Sequence, residues 1–228
     1  MGKLYIVSTP IGNMGDITLR TIEVLKSVDY VLCEDTRVTG RLLNHFEISK
    51  KMISLNDFNE ESRVTSVIGD LVSGKNIALV SDAGTPLISD PGYKLVRSVI
   101  EKDVKVDSIP GPTAAIAALT ISGLPPDKFL YLGFLPKKDG KKEEVLKRAK
   151  DVTMLIATTV IIYESPFRLL KTLELIKSVF GDISIVVCRE LTKLHEEVRR
   201  EEVSESISHF SKLTPKGEFV ILLSDKGL

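Results

Sequence analysis

The feature that most constrains this fold is an alternation that runs through the first half of the chain. Short apolar runs at 4–8, 30–33, 52–55, 77–80 and 104–109 read as strands. Each gives way to a polar or glycine-bearing loop and then to a helical stretch, at 19–28, 38–46, 60–72, 93–101 and 114–122. The helical stretches show their period directly: Leu19, Ile22, Leu25 and Val28 recur at steps of three, and Val64, Val67, Ile68 and Leu71 share one face. Strand, loop and helix in strict rotation predict βαβ units and a mostly parallel sheet. In such sheets ligands gather outside the carboxyl ends of the strands. Several polar loops fall at those ends: 9–12, 34–37, 81–86 and 110–113.

Beyond residues 123–127 (Gly-Leu-Pro-Pro-Asp) the pattern changes, which sets an expected boundary between domains 1–124 and 125–228. Strands are expected at 129–134, 159–163, 183–188 and 219–223, with another at 198–203. Helices are expected at 141–157 and 167–180, the second closed by Gly181, and a short one capped by Ser204. The expectation is a second α/β domain with a mixed sheet.

Composition narrows the class. The 228 residues carry 31 basic and 31 acidic side chains, so no global field advertises a polyanionic partner. Cys33 and Cys188 each sit in an apolar run and read as buried small hydrophobes. The histidines show no metal-ligand spacing with them, so no metal site is expected. No stretch is long and apolar enough for a membrane span, and the expected setting is cytoplasmic. Gly69 to Asn76 falls one residue short of a phosphate-binding loop and reads as a helix-ending turn. No G-x-G-x-x-G follows a strand.

Three loops carry acids and bases directly after a strand: Glu34-Asp35-Thr36-Arg37, Glu164-Ser165-Pro166-Phe167-Arg168 and Arg189-Glu190-Leu191-Thr192-Lys193. Structural ion pairs explain any one of them, and three together point to a polar cleft. Asp82 follows a buried strand, where a carboxylate suits ribose hydroxyls or a cation; Gly84 leaves its backbone open to close approach. Residues 137–150 hold seven basic and three acidic side chains, which reads as a solvated helix face or a local stripe for phosphates.

The blocks TPIGNMGDIT at 9–18, CEDTR at 33–37, LVSDAGTPLISDPG at 79–92, PGPTAA at 110–115, GFLPKK at 133–138, YESPFR at 163–168, RELTK at 189–193 and KGEFVIL at 216–222 occur in that order. Together they resemble the bacterial small-subunit ribosomal RNA (cytidine-2′-O-)methyltransferases of the tetrapyrrole methylase superfamily. The resemblance implies a two-domain α/β methylase, commonly a homodimer, that binds S-adenosyl-L-methionine between its domains. It implies 2′-O-methylation of a cytidine in the decoding region of 16S ribosomal RNA, free or in an assembled particle. By the same resemblance Asp82, Gly84 and Thr85 look like the cofactor loop, with Thr9 and Pro10 beside it. Thr113 and Ala114 match its small contacting pair, and Tyr163, Leu191 and Gly217 match lining positions in the second domain. Glu34, Asp35, Arg37, Glu164, Arg168 and Lys193 are expected on the acceptor side. There Asp35 or Glu164 would take the proton, and Arg37 or Arg168 would bind phosphate.

Three departures from the family pattern stand out. Asn56 and Phe58 occupy positions often held by histidine within residues 55–60, and Phe167 stands where relatives often read histidine. Many members also continue past the KGEFVIL block, where this sequence ends at Leu228. Two alternatives remain open at this point: a methylase of the same superfamily with a tetrapyrrole or other acceptor, and a cofactor-binding RNA module without catalysis.

Overall fold

A computed structural model describes residues 1–56, 58–212 and 214–224; Asp57, within the histidine-poor stretch, and Leu228 lie outside the described residues. The chain divides into two compact units, 1–113 and 114–228. The division falls ahead of the boundary expected at 124. The reason is α5 (Ala114–Ser122), whose contacts are with strands of the second unit.

In the first unit, strands β1 (Lys3–Val7), β2 (Tyr30–Cys33), β3 (Lys51–Ser54), β4 (Ile77–Leu79) and β5 (Lys105–Ile109) form one sheet in the order β3-β2-β4-β1-β5. Every pairing in it is parallel, as the alternation predicts. A parallel strand buried on both faces has no polar side to show. Thus Leu32, Ile77 and Leu79 pack on one face with residues of α3 (Glu60–Val72) and α4 (Tyr93–Ile100). Their neighbours Val31, Cys33 and Ala78 pack on the other with α1 (Leu19–Ser27) and α2 (Thr36–His45).

From β1 the chain leaves through α1 toward β2, on one side. From β4 it leaves through α4 toward β5, on the other side and across the other face. The adjacent strands β1 and β4 therefore make the topological switch point, where their following loops part and leave a crevice.

The second unit holds β6 (Phe129–Phe134), β7 (Thr159–Glu164), β8 (Ser184–Arg189), β9 (Glu197–Glu202) and β10 (Phe219–Leu223) in the order β6-β7-β10-β8-β9. Only β6 and β7 are parallel; the remaining pairings are antiparallel, giving the mixed sheet. One core cluster joins β7, β8 and β10 to α6 (Asp139–Leu155), α7 (Leu169–Phe180) and α8 (Val203–Ser211).

Two expectations change here. Ser204 does not cap α8: Glu202 does, through a reciprocal capping box with Glu205, while the Ser204 N–H donates to Asp182 (2.8 Å). Helix α7 starts at Leu169 rather than 167, leaving Phe167 outside it. Cys33 and Cys188 are buried free thiols, one in each unit. Among the described residues no helix is long and apolar enough to cross a membrane.

Gly92 caps α4 with φ +124°, and a Cβ there would stand 2.7 Å from Leu79 Cδ2. Gly92→Ala should destabilise the first unit by about 1–3 kcal/mol, from the strained φ together with the clash. The check is a fall in its thermal midpoint; an unchanged midpoint rejects the strain.

Candidate functional site

At the switch point the loops after β1 and β4 are stitched together. The Thr9 N–H donates to Gly84 O (2.8 Å), and the Gly84 N–H returns to Thr9 O (3.2 Å). The Thr9 hydroxyl donates to Ser81 O (3.3 Å), and Thr85 Oγ1 donates to Pro112 O (3.1 Å) while lying 3.0 Å from Ser8 Oγ. Thr9 and Pro10 are buried. Both threonine hydroxyls therefore fix the loops, and the third loop, 110–113, is drawn in through Pro112. Gly84 itself sits at φ +80°, and a Cβ there would press on Ile11 at 3.2 Å. The side chains at Thr9 and Thr85, expected beside a cofactor, thus shape the crevice and spend their hydrogen bonds within the protein.

Beside these loops, at the end of β2, Asp35 caps α2. Its carboxylate accepts from the Arg37 N–H (2.8 Å) and grips the Arg37 guanidinium in a fork (Nη2 at 2.6 Å). Those hydrogen bonds hold its pKa down at about 2. Arg37 stays 88% exposed beyond that grip. Asp82 Oδ1 accepts the Asp35 N–H at 3.1 Å. Burial raises the Asp82 pKa, and the adjacent Asp35 carboxylate adds to the rise against the opposing pull of Arg37 and Arg41. Two linked carboxylates are thereby pushed apart in proton affinity. Glu34 follows β2 half-buried, and its carbonyl accepts the Ser54 hydroxyl (3.2 Å).

In the second unit the expected acceptor-side residue Glu164 is completely enclosed. Its side chain is 0% exposed and takes donors from the Ser165 N–H (2.8 Å), Arg168 Nε (2.7 Å), Arg168 Nη2 (3.1 Å) and the Thr172 hydroxyl (2.6 Å). Beneath it lies Lys142, 2% exposed, whose ammonium donates to Thr172 (2.9 Å) and stands 3.9 Å from Glu164. Burial lowers the Lys142 pKa, against the pull of Glu164. Glu164 is thus a buried anchor for Arg168, with no face left to take a substrate proton, which corrects that expectation.

Lys142 also leaves the expected basic stripe. Sequence reading missed it, although a signal existed: Lys142, Leu146, Ala149 and Thr153 recur at helical spacing on the buried face of α6. Of the rest of that run, Lys147 and Arg148 pair with Glu143 and Glu144, and Lys150 donates to Val179 O (2.7 Å). Lys137, Lys138 and Lys141 are exposed.

Tyr163 accepts the Ala115 N–H on its hydroxyl (2.9 Å), tying β7 to the start of α5 beside Ala114. Lys193 is drawn away from a substrate role by Glu190 (2.9 Å) and Glu218 (2.7 Å). Gly217, at φ +93°, yields its Cβ space to the Glu190 side chain, which would otherwise lie 2.4 Å away. Leu191 is buried. The loop after β8, with Leu191 and Lys193, and the one before β10, with Gly217, therefore brace each other through Glu190. Thr113 and Ala114 are half-buried where the two units divide. Asn56, in place of a family histidine, caps the turn into α3 by accepting the Phe58 and Asn59 N–H groups (3.1 and 3.2 Å).

These environments set two measurable outcomes. By carboxyl-carbon NMR, Asp35 should titrate near pH 2 and Asp82 above the ordinary 3.8. The signs follow from linkage. Asp35 contributes stability above about pH 4 that is lost as pH falls toward 2. Ionising Asp82 costs stability as pH rises through its raised value. The reverse titration order would reject the assignment.

Removing Glu164 strands a buried cation, so Glu164→Gln should cost about 3–5 kcal/mol. Lys142→Met should cost clearly less, because Glu164 keeps Arg168, Thr172 and Ser165. Chemical denaturation of the two variants tests the asymmetry, and equal losses would refute it.

The chain matches the family model for tetrapyrrole (corrin/porphyrin) methylases over residues 3–206. It is 46% identical over 226 residues to the ribosomal RNA small subunit methyltransferase I of Thermotoga maritima, covering 99% of this chain and 100% of that one. Its identity to the protein of the same name from Escherichia coli O157:H7 is 47%, covering 97% of this chain and 77% of the other. For the Vibrio cholerae protein of that name identity is 48%, covering 96% and 76%. Among solved structures it superposes on diphthine synthase (TM-score 0.76, 15% identity, 98% of this chain and 90% of that) and on the methyltransferase CobJ (TM-score 0.73, 16% identity, 98% and 94%). The parallel sheet with its stitched switch-point loops, the mixed second sheet and these likenesses converge: the chain belongs to the tetrapyrrole (corrin/porphyrin) methylase family.

Proposed function

We propose that this protein transfers a methyl group from S-adenosyl-L-methionine to the 2′-oxygen of a cytidine ribose in the decoding region of 16S ribosomal RNA. The observation that carries this reading is the 42–48% identity, over nearly the whole chain, to bacterial proteins named ribosomal RNA small subunit methyltransferase I. The cytidine and its 2′-oxygen rest on the block resemblance. A cytoplasmic setting and a homodimeric working unit belong to the same reading.

The residues present suit such a cofactor. Asp82 is part-exposed and can accept hydrogen bonds from ribose hydroxyls, and the neighbouring Ala83 and Gly84 present little bulk. The acidic pair Asp35 and Asp82 matches a cationic ligand. Thr113 closes the first unit, and Ala114 and Ala115 open the second with a small-residue helix start suited to a flat ring, the Tyr163 hydroxyl holding that start in place. When bound, S-adenosyl-L-methionine supplies a methyl group on positively charged sulfur, which makes transfer an in-line displacement governed by alignment.

A ribose hydroxyl is a poor nucleophile near neutral pH, so its proton must pass to a base as the new carbon–oxygen bond forms. Glu164 is enclosed, and Asp35 is held at low proton affinity by Arg37. Asp35 is the part-exposed acceptor-side carboxylate and stays the candidate base, and a phosphate that drew Arg37 away would raise its proton affinity. Arg37 is exposed enough to meet a phosphate; Arg168, a quarter exposed and fixed by Glu164, offers a second, more rigid cation.

Undermethylated small ribosomal particles incubated with tritiated S-adenosyl-L-methionine should gain label at a cytidine ribose, seen as an alkali-resistant dinucleotide. Asp35→Asn should lower kcat by about a hundredfold or more. Label on a base, or no incorporation, would sink the reading. A full rate in Asp35→Asn would remove only the base assignment.

A further inference from the structure

We propose that Phe167 is a stacking platform for an unpaired base of single-stranded RNA, with Lys137, Lys138, Lys141 and Arg168 serving its phosphates. The proposal rests on the reading above that the acceptor is RNA, and it names the surface that would hold it.

Phe167 is 95% exposed. An isolated exposed phenyl is ordinary, but this one is held in place. The residues on both sides are fixed: the Ser165 N–H and the Arg168 guanidinium both bond Glu164, and the Arg168 N–H donates to Ser165 O at 3.1 Å. Pro166 stiffens the remaining link. The buried Lys142–Thr172–Glu164 chain anchors the whole loop from below. The ring is therefore presented to solvent with little left to order, the condition under which stacking returns the most affinity.

A second aromatic stands at the same edge. Phe134 ends β6, pairs in register with Tyr163, and is 55% exposed while edge-on to the Tyr163 ring at 5.8 Å. Because β6 and β7 are parallel, the loops that follow them leave from one end of the sheet. One loop carries Phe167 and Arg168, and the other carries Lys137 and Lys138. Lys141 lies on the first turn of α6, beside the buried Lys142 that binds α7. None of these three lysines forms an ion pair with a described residue. Exposed rings interleaved with uncommitted cations are what single-stranded nucleic acid requires: a π-face for the base and positive charge for the backbone. An apolar protein partner would leave those lysines to be desolvated at a cost.

The sequence contains no tryptophan, so Phe167→Trp installs one indole, whose emission can be excited apart from that of the five tyrosines. Titration with a short unstructured oligocytidine RNA should quench it, with affinity falling as salt rises. Phe167→Ala should weaken RNA binding by about ten- to a hundredfold. Phe167→Tyr should bind as the wild type does, and S-adenosyl-L-methionine affinity should not change in any of them. Undiminished RNA affinity in Phe167→Ala, an unquenched tryptophan in the RNA complex, or no RNA binding by the wild type would each overturn the proposal. So would a loss of self-association in Phe167→Ala with RNA affinity intact, which would assign the ring to a second copy of the chain. Binding is read without methyl transfer, so the two failures separate. Quenching without any methylation would sink the enzymatic reading alone, and methylation with Phe167→Ala unimpaired in RNA binding would sink the platform alone.

Discussion

Two parallel strands cannot be joined by a tight turn, and most of what is chemically interesting here depends on that constraint. The connection must travel back along a face of the sheet, so every loop that follows a strand emerges at the same edge. In the first unit this applies to all five strands, and it brings Thr9, Asp35, Asp82, Gly84 and Thr85 to one rim. In the second unit β6, β7 and β8 all run the same way, β7 and β8 each lying antiparallel to β10, so the loops with Lys137 and Lys138, with Phe167 and Arg168, and with Glu190 to Lys193 leave one edge. Strands β9 and β10 run the other way. The loop at 190–193 is pinned through Glu190 and Lys193 to Gly217 and Glu218 at the start of β10.

The rim in the first unit is stiff because its hydroxyls are spent internally. Thr9 and Thr85 bond backbone carbonyls of neighbouring loops, and Ser81 bonds Gly84 O within its own. Each such bond contributes about 1 kcal/mol. Their larger effect is to remove alternative loop conformations, which leaves carboxylates rather than hydroxyls as the groups open to chemistry. Asp35 and Asp82 differ in environment more than in position. One is saturated by an arginine and backbone donors, and the other is partly desolvated beside a like charge. A single backbone hydrogen bond, from the Asp35 N–H to Asp82, couples the two.

The fold was legible because a parallel sheet writes itself as uninterrupted apolar runs followed by helical periods. Both sheet types and nearly every element follow from that pattern. The division between units was less legible: the small, uniformly apolar α5 carries no sign of which sheet it will pack on. Within the site, loop positions were readable and side-chain commitments were not. Glu164 and Asp35 look alike in sequence, each an acid after a strand with an arginine close behind. Only tertiary packing distinguishes them, by setting the Lys142 ammonium and the Thr172 hydroxyl under one carboxylate and open solvent beside the other. The helical spacing of Lys142 was the one visible hint, and it was masked by the basic run around it.

That run shows why counting charges is a poor guide to partners in a chain whose formal charge is zero. Of its seven cations, two are neutralised by acids one turn earlier, one caps the carbonyl end of α7, and one is buried as a structural strut. The three that remain uncommitted sit in, or in the first helical turn after, the loop that leaves the same edge as the loop carrying the exposed Phe167. On the proposed reading this division of labour is what a balanced protein needs to hold a polyanion. Few phosphate contacts keep non-specific affinity low, since each contributes a salt-dependent increment regardless of sequence. Selectivity then falls to a fixed ring that only an unstacked base can meet, so a neutral chain discriminates by the shape of its target where a basic one would bind any nucleic acid.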